Sequence, residues 1–275
     1  GASFGVLLFA GSCSGEVTSN IGNSPVGGPA PPPSPPPPPM PTGAFSTEAG
    51  TSRFLTQATF GPRADEVSSL TGTSASEWFL AELAKPASLH TPQLEAYRAM
   101  STGADEGFPV LAVQSSTFSF WRNAIEGDDQ LRQRMAFALS QILVVSNFGG
   151  ELLADIPEPV VSYQDILIEG AFGNYRDLLE AVTYSPAMGY YLTYMGNQKA
   201  DPATGRMPDE NYAREILQLF TVGVVELQPD GTPVLDGSGR AVELYDNMDI
   251  AGLARVFTGL DLDGLDRHRF PSVVD

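Results

Sequence analysis

Along most of the chain apolar residues recur at steps of three and four, the pitch of an α-helix that buries one face. Ser74-Ala75-Ser76-Glu77 spells a capping box that opens a helix over 78–83, and Pro86 closes it. The stretch 131–145 places Leu131, Met135, Ala138, Leu139, Ile142 and Val145 on one predicted face. The stretches 163–172 and 175–184 predict a helix pair, with Gly173 suited to a left-handed cap and Asn174 to an N-cap. A short helix is expected over 187–195. Asp209 is expected to cap 210–220, and Asn247 to cap 248–257. One stretch changes period. Val224-Val225-Glu226-Leu227 and Ala241-Val242-Glu243-Leu244 flank Asp230-Gly231-Thr232 and Asp236-Gly237-Ser238-Gly239, the spelling of one or two β-hairpins over about 224–246. The expected fold is mainly α: an irregular multi-helix array over 51–275 with one small β-hairpin insertion, preceded by a disordered stalk.

The stalk follows from composition. Over 14–50 Gly, Ser, Thr and Pro dominate, and 31–39 is proline broken only by Ser34. Such a run favours polyproline II and has too few large apolar side chains to offset its own ordering entropy. It reads as a spacer, with a ligand for a proline-recognising domain as the alternative. Before it stands Val6-Leu7-Leu8-Phe9-Ala10, then Gly11-Ser12-Cys13, an apolar run followed by small residues, the order of an export signal. The run is too short to span a bilayer. Its end resembles a bacterial lipobox, although Ala10 stands where leucine is preferred. The resemblance implies that Cys13 is the lipidated first residue of the mature protein, with 1–13 the remnant of the signal. Export, a membrane association made only through this anchor, and a place in the cell envelope follow as expectations. Because the chain starts at Gly1 and stops at Asp275 soon after a helical pattern, it is expected to be a piece of a longer protein.

Charge narrows the choice of partners. There are 33 carboxylates against 15 Lys plus Arg, a net charge of −18. No basic run exists to neutralise phosphates, which argues against nucleic acid. With Cys13 as the one cysteine no intrachain disulfide forms.

Five stretches carry a family resemblance. The segment Pro208-Asp209-Glu210-Asn211-Tyr212-Ala213-Arg214-Glu215-Ile216-Leu217-Gln218-Leu219-Phe220-Thr221-Val222-Gly223 closely resembles the signature helix of the bacterial domain-of-unknown-function 1800 family. Phe54-Leu55-Thr56-Gln57-Ala58-Thr59-Phe60-Gly61-Pro62 is similar to its first motif, and Leu131 through Gln141 to its second. Gly173-Asn174-Tyr175-Arg176-Asp177-Leu178-Leu179 with Ser185-Pro186-Ala187-Met188 matches the third, and Asp249-Ile250 through Gly259 the fifth. The resemblance implies a large, mostly helical, usually exported protein with no agreed activity. Many members carry histidines in the second motif where this chain has Ser140 and Gln141. That departure removes the basis for a metal or acid–base role at those two positions.

Chemistry is best sought on the signature helix. At about 100° per residue Glu210, Asn211, Arg214, Glu215 and Gln218 share one stripe, while Tyr212, Ala213, Ile216, Leu217, Leu219 and Phe220 share the other. Glu210 with Arg214 and Asn211 with Glu215 are four apart and within reach. Glu210, Arg214 and Glu215 are the catalytic candidates, as an oriented base or a polar clamp. Asn211, Tyr212 and Gln218 are the candidate polar-network or binding residues. A solvated helix face or an interhelical polar network explains the same spelling. The acidic stretches over 230–239 and 261–266 lack the spacing of a calcium loop and read as turns. The two histidines, His90 and His268, read as surface or satisfied side chains. Tyr184, Tyr190, Tyr191 and Tyr194, with Phe172 and Tyr175, suit helix-core packing before sugar stacking. No zinc cluster, P-loop, dinucleotide fingerprint or nucleophile elbow occurs, so no metal and no cofactor is expected. Two functions remain. One is a binding or scaffolding protein of the envelope, with an envelope polymer or protein as partner. The other is an extracytoplasmic hydrolase built on the 209–220 helix.

Overall fold

The computed structural model describes residues 7–9, 43, 45–101 and 114–262. Most of the expected stalk, Cys13, the 263–266 part of the second acidic stretch and His268 lie outside these residues. The body is mainly helical, as the periodicity predicts. It starts earlier than composition alone places it. Phe45, inside the expected tether, is 1% exposed and packs edge-on against Phe54 (centroids 5.3 Å) and Trp78 (6.2 Å). Thr47 then caps α1 (Glu48–Ala58) by accepting from the Gly50 amide at 3.1 Å. One large aromatic side chain in a Gly/Ser-rich stretch carries enough burial to order it.

Two short helices follow, α2 (Ala64–Leu70) and α3 (Ala75–Ala84), the latter capped by Ser74 and stopped at Lys85 before Pro86. Next come α4 (Thr91–Ser101), α5 (Gln114–Glu126), α6 (Gln130–Ser140), α7 (Glu151–Asp155) and α8 (Pro157–Glu169). The last of these is the centre of the array and touches α4, α5, α6, α7, α9 (Tyr175–Thr183) and α10 (Pro186–Tyr191). Its position follows from its spelling. Val160, Val161, Tyr163, Leu167 and Ile168 are all buried, on more than one face, the pattern of a helix surrounded by others.

Three local expectations change. The helix from residue 130 ends at Ser140, and its buried positions are Leu131, Gln133 and Ala136, while Met135 and Ile142 are 40% and 48% exposed. The face turns because Gln133 is drawn inward to hydrogen-bond Ser88 and Asp129. Gly173 is not left-handed; the helix before it stops at Glu169, capped by Gly170. Glycine is needed there for proximity, since a Cβ would meet Leu178 Cδ1 at 2.7 Å where α8 and α9 converge. Asp246, not Asn247, caps α12 (Asn247–Ala254), through a reciprocal capping box with Asp249.

The β excursion forms within the predicted bounds but as a closed triad rather than a simple ribbon. Val234 N donates to Glu226 O (2.9 Å), Val242 N to Val234 O (3.0 Å) and Glu226 N to Val242 O (2.9 Å). Three short arms thus each pair with the other two, bridged at Leu227–Pro233, Leu235–Ala241 and Val225–Glu243. The turn aspartates close the corners, Asp230 on the Thr232 amide and hydroxyl and Asp236 on Ser238 and Arg240. A separate two-stranded sheet pairs β1 (Leu7–Phe9) antiparallel to β2 (Leu260–Leu262), with Leu8 opposite Asp261. Part of the apolar N-terminal run is therefore an edge strand in this chain. No described helix is long and apolar enough to cross a membrane.

Candidate functional site

The signature segment is two helical geometries in series. An α-helical part, α11 (Asn211–Glu215), passes directly into a π turn (Ile216–Phe220). Glu210, not Asp209, stands at its N-cap; Asp209 lies one residue earlier, accepting from the Asn211 amide at 2.8 Å with Oδ1 and from the Thr193 hydroxyl at 2.9 Å with Oδ2. Thr193 holds a left-handed φ of 61°, a conformation costly for a β-branched residue unless its surroundings fix it. Asn197 pins the same entry by bonding both the amide and the carbonyl of Asp209. The π turn takes more residues per turn, so the apolar stripe lags the α-helical one. Phe220 is buried, whereas Leu219, expected beside it, is 61% exposed. Gly223, at φ 79°, closes the segment by donating to Leu217 O.

Tyr212 is the hub. It is 1% exposed, stacks on Tyr194 (centroids 4.1 Å, 23° between planes) and meets Phe257 edge-on at 4.9 Å. Thr183 spends its hydroxyl hydrogen on Leu179 O, so in the 2.7 Å contact with Tyr212 it is Tyr212 that donates. Burial pushes the Tyr212 phenol up to about 12. Tyr163, Tyr175 and Tyr194 likewise end on the carbonyls of Leu143, Phe220 and Thr183. The aromatic-rich region therefore packs the core, as the sequence reading prefers. Tyr212 is buried with its hydroxyl bonded to Thr183, a place in the packing and polar network of the interior.

The charged stripe lies outside. Glu210 and Arg214 pair at 3.3 Å with 39% and 42% of their side chains exposed. Asn211 turns toward Thr193 at 3.5 Å, and no bond joins it to Glu215 among the described residues. Gln218 is exposed and Glu215 half-buried. Glu210, Arg214 and Glu215 line neither of the two cavities described next.

The first cavity lies where sequence reasoning placed nothing. His90 is 2% exposed, at the entry to α4, which rules out the surface half of its reading. Its backbone amide and that of Thr91 donate to the two oxygens of Asp165 on α8, at 2.6 and 3.0 Å, so that carboxylate caps α4. Asp129, fully buried, accepts from the Ser88 amide (3.0 Å) and Gln133 Nε2 (3.1 Å), and Arg132 lies 3.8 Å away. Asn123 and Gln133 both donate to Ser88 O. The buried polar side chains thus hold the loop that enters α4 by its backbone. Burial lowers the His90 pKa below its ordinary 6.5, opposed by Asp165, by a hydrogen bond to the Ser119 backbone and by Asp129. His90 Nδ1, Gln164 Oε1, Gln93 Oε1 and Asp129 Oδ1 are buried with no hydrogen-bond partner, and all four are acceptors. His90 and Gln164 line a cavity of about 40 Å³ with Phe120, Phe137, Leu167 and Ile168. Ser140, where the family resemblance expected histidine, lies on its wall.

The second cavity is an open groove of about 360 Å³ lined by Arg63, Glu66, Glu82, Lys85, Asp128 and Gln130. Buried Glu82 pairs with Lys85, whose ammonium also donates to Asp128 O at 2.6 Å. Among the described residues no group of three or more His, Cys, Asp or Glu is placed to hold a metal ion.

A family model described as "Protein of unknown function (DUF1800)" matches residues 53–273. No curated protein and no solved structure matches the chain. The chain belongs to the DUF1800 family.

Proposed function

We propose that this member of the DUF1800 family is an exported cell-envelope protein that binds or scaffolds a partner at the membrane surface, rather than a hydrolase centred on its signature helix. The observation that carries the reading is the half-exposed state of the Glu210–Arg214 pair: it is an ordinary i,i+4 ion pair, and the signature helix spends its specific contacts on Tyr212. A carboxylate acting on a bond needs a positioned substrate and exclusion of water, and an open helix face supplies neither. The envelope assignment rests on the apolar run before Cys13 and on the proline-rich spacer. The partner is an envelope polymer or protein. Nucleic acid is disfavoured by the net charge of −18. Cleavage ahead of Cys13 would also remove β1 and free the edge of β2.

Two measurements test this. Fractionation of cells producing the chain with its native leader is expected to place it with the membrane, and Cys13→Ser to release it into the periplasm or medium. A cytoplasmic location for both forms would refute the export part. Co-sedimentation with purified envelope polymer is expected for the native chain and for Glu215→Ala alike. Hydrolysis of that polymer, lost in Glu215→Ala with unchanged melting, would replace this reading with the hydrolase.

A further inference from the structure

We propose that the cleft between α4, α5, α6 and α8 is a binding site for a small, largely apolar molecule that enters with a hydroxyl or N–H donor foremost, received by His90 Nδ1 and Gln164 Oε1. The inference rests on which hydrogens around the cleft are already committed. Gln133 Nε2 gives both of its hydrogens to Ser88 O and Asp129 Oδ2. Ser140 gives its hydroxyl hydrogen to Phe137 O at 2.7 Å. The Ser119 backbone engages the His90 ring, and Nδ1 has no partner. The donors of Gln133 and Ser140 are therefore spent inside the protein. Two buried acceptors on opposite elements, the α4 entry and α8, stay unpaired.

A buried acceptor left unpaired costs about 1–3 kcal/mol, so the cleft selects for a guest that donates. A guest that only accepts leaves both of these lone pairs unpaired. The rest of the lining is Phe120, Ala136, Phe137, Leu167 and Ile168, which suits an apolar body better than water, whose buried molecules make about three hydrogen bonds each. The cavity, about 40 Å³, holds a guest of only a few heavy atoms at its inner end. Burial holds the His90 pKa below its ordinary value, which favours the neutral ring whose Nδ1 lone pair faces no partner. The site does not involve the signature helix and stands independently of the envelope reading.

The chain has two histidines, so His268→Gln leaves the His90 ring as the only imidazole. The 15N spectrum of that protein, selectively labelled at histidine, is recorded during titration with 2-propanol and, separately, with acetone. These match in heavy atoms, but acetone has no donor. The expected result is a neutral ring with Nδ1 unprotonated and a saturable Nδ1 shift with 2-propanol. Acetone should require at least about tenfold higher concentration, as expected when a site's polar groups are left unpaired. Gln164→Met is expected to weaken the 2-propanol response about fivefold, the worth of one hydrogen bond. Ala136→Leu, which fills the cleft, is expected to abolish it. A protonated Nδ1, an equal response to acetone, or a response unchanged in Gln164→Met would each overturn the proposal. If Ala136→Leu fails to fold, Gln164→Met decides.

Discussion

The two halves of the interior are built on opposite principles. Around α9, α10 and α11 the core is aromatic, and its buried tyrosine hydroxyls end on named acceptors: Tyr163 on Leu143 O, Tyr194 on Thr183 O, Tyr212 on Thr183 Oγ1. Around α4, α5 and α6 the core is polar. Asp129, Asp165, Gln133, Asn123 and His90 are all buried there, and two of their acceptor atoms, His90 Nδ1 and Asp129 Oδ1, remain unpaired. The aromatic half gains from area burial and ring geometry. The polar half serves chiefly to hold the backbone of one loop, and low local dielectric makes every unpaired atom in it expensive. The family's signature helix belongs to the first kind, although its charged spelling points to chemistry. The residue with the most unusual surroundings, His90, belongs to the second.

This contrast can be broken or sharpened. The largest effect is expected from Tyr212→Ala, which removes the hub of the aromatic half and should cost about 3–5 kcal/mol in a denaturant melt. In the polar half, Asp129→Ala should cost about 2–3 kcal/mol, because the Ser88 amide and one Gln133 hydrogen lose their acceptor inside the protein. The halves also differ in pH response. The folded pKa of His90 lies below the unfolded 6.5, so the unfolded chain binds the proton first. The stability held by neutral His90 is complete above pH 6.5 and is lost as pH falls below it toward the folded value. Asp165 and Asp129 limit the size of this loss. His90→Gln should flatten that part of the pH–stability curve; an unchanged slope would remove His90 as its cause. The smallest effect is expected from Glu210→Ala, about 0.5 kcal/mol or less, as for other exposed pairs.

Much of the fold is legible in the sequence because its signals are local. Ser74 and Asn174 cap helix starts as their types predict, and the Asp-Gly turns mark the β excursion. What is missed depends on long-range contact. Phe45 is ordered by Phe54 and Trp78, and Gln133 faces inward because Ser88 and Asp129 are there to receive it. The π turn displaces Leu219 from the buried stripe, a phase change that no α-helical wheel contains. Of the candidate site, the Glu210–Arg214 pair is readable from its spacing, but its exposure is not. His90 is separated from Asp165 by 75 residues, and nothing in the sequence near either one announces the other.

The account turns on whether the signature helix is anchored by its aromatic face or by its charges, and a pair of unfolding measurements under identical conditions decides it. Tyr212→Leu is predicted to lose at least about 2 kcal/mol more than the triple variant Glu210→Gln/Arg214→Met/Glu215→Gln, which should stay within about 1 kcal/mol of the parent chain. A triple variant that unfolds as readily as Tyr212→Leu, or more so, would contradict it.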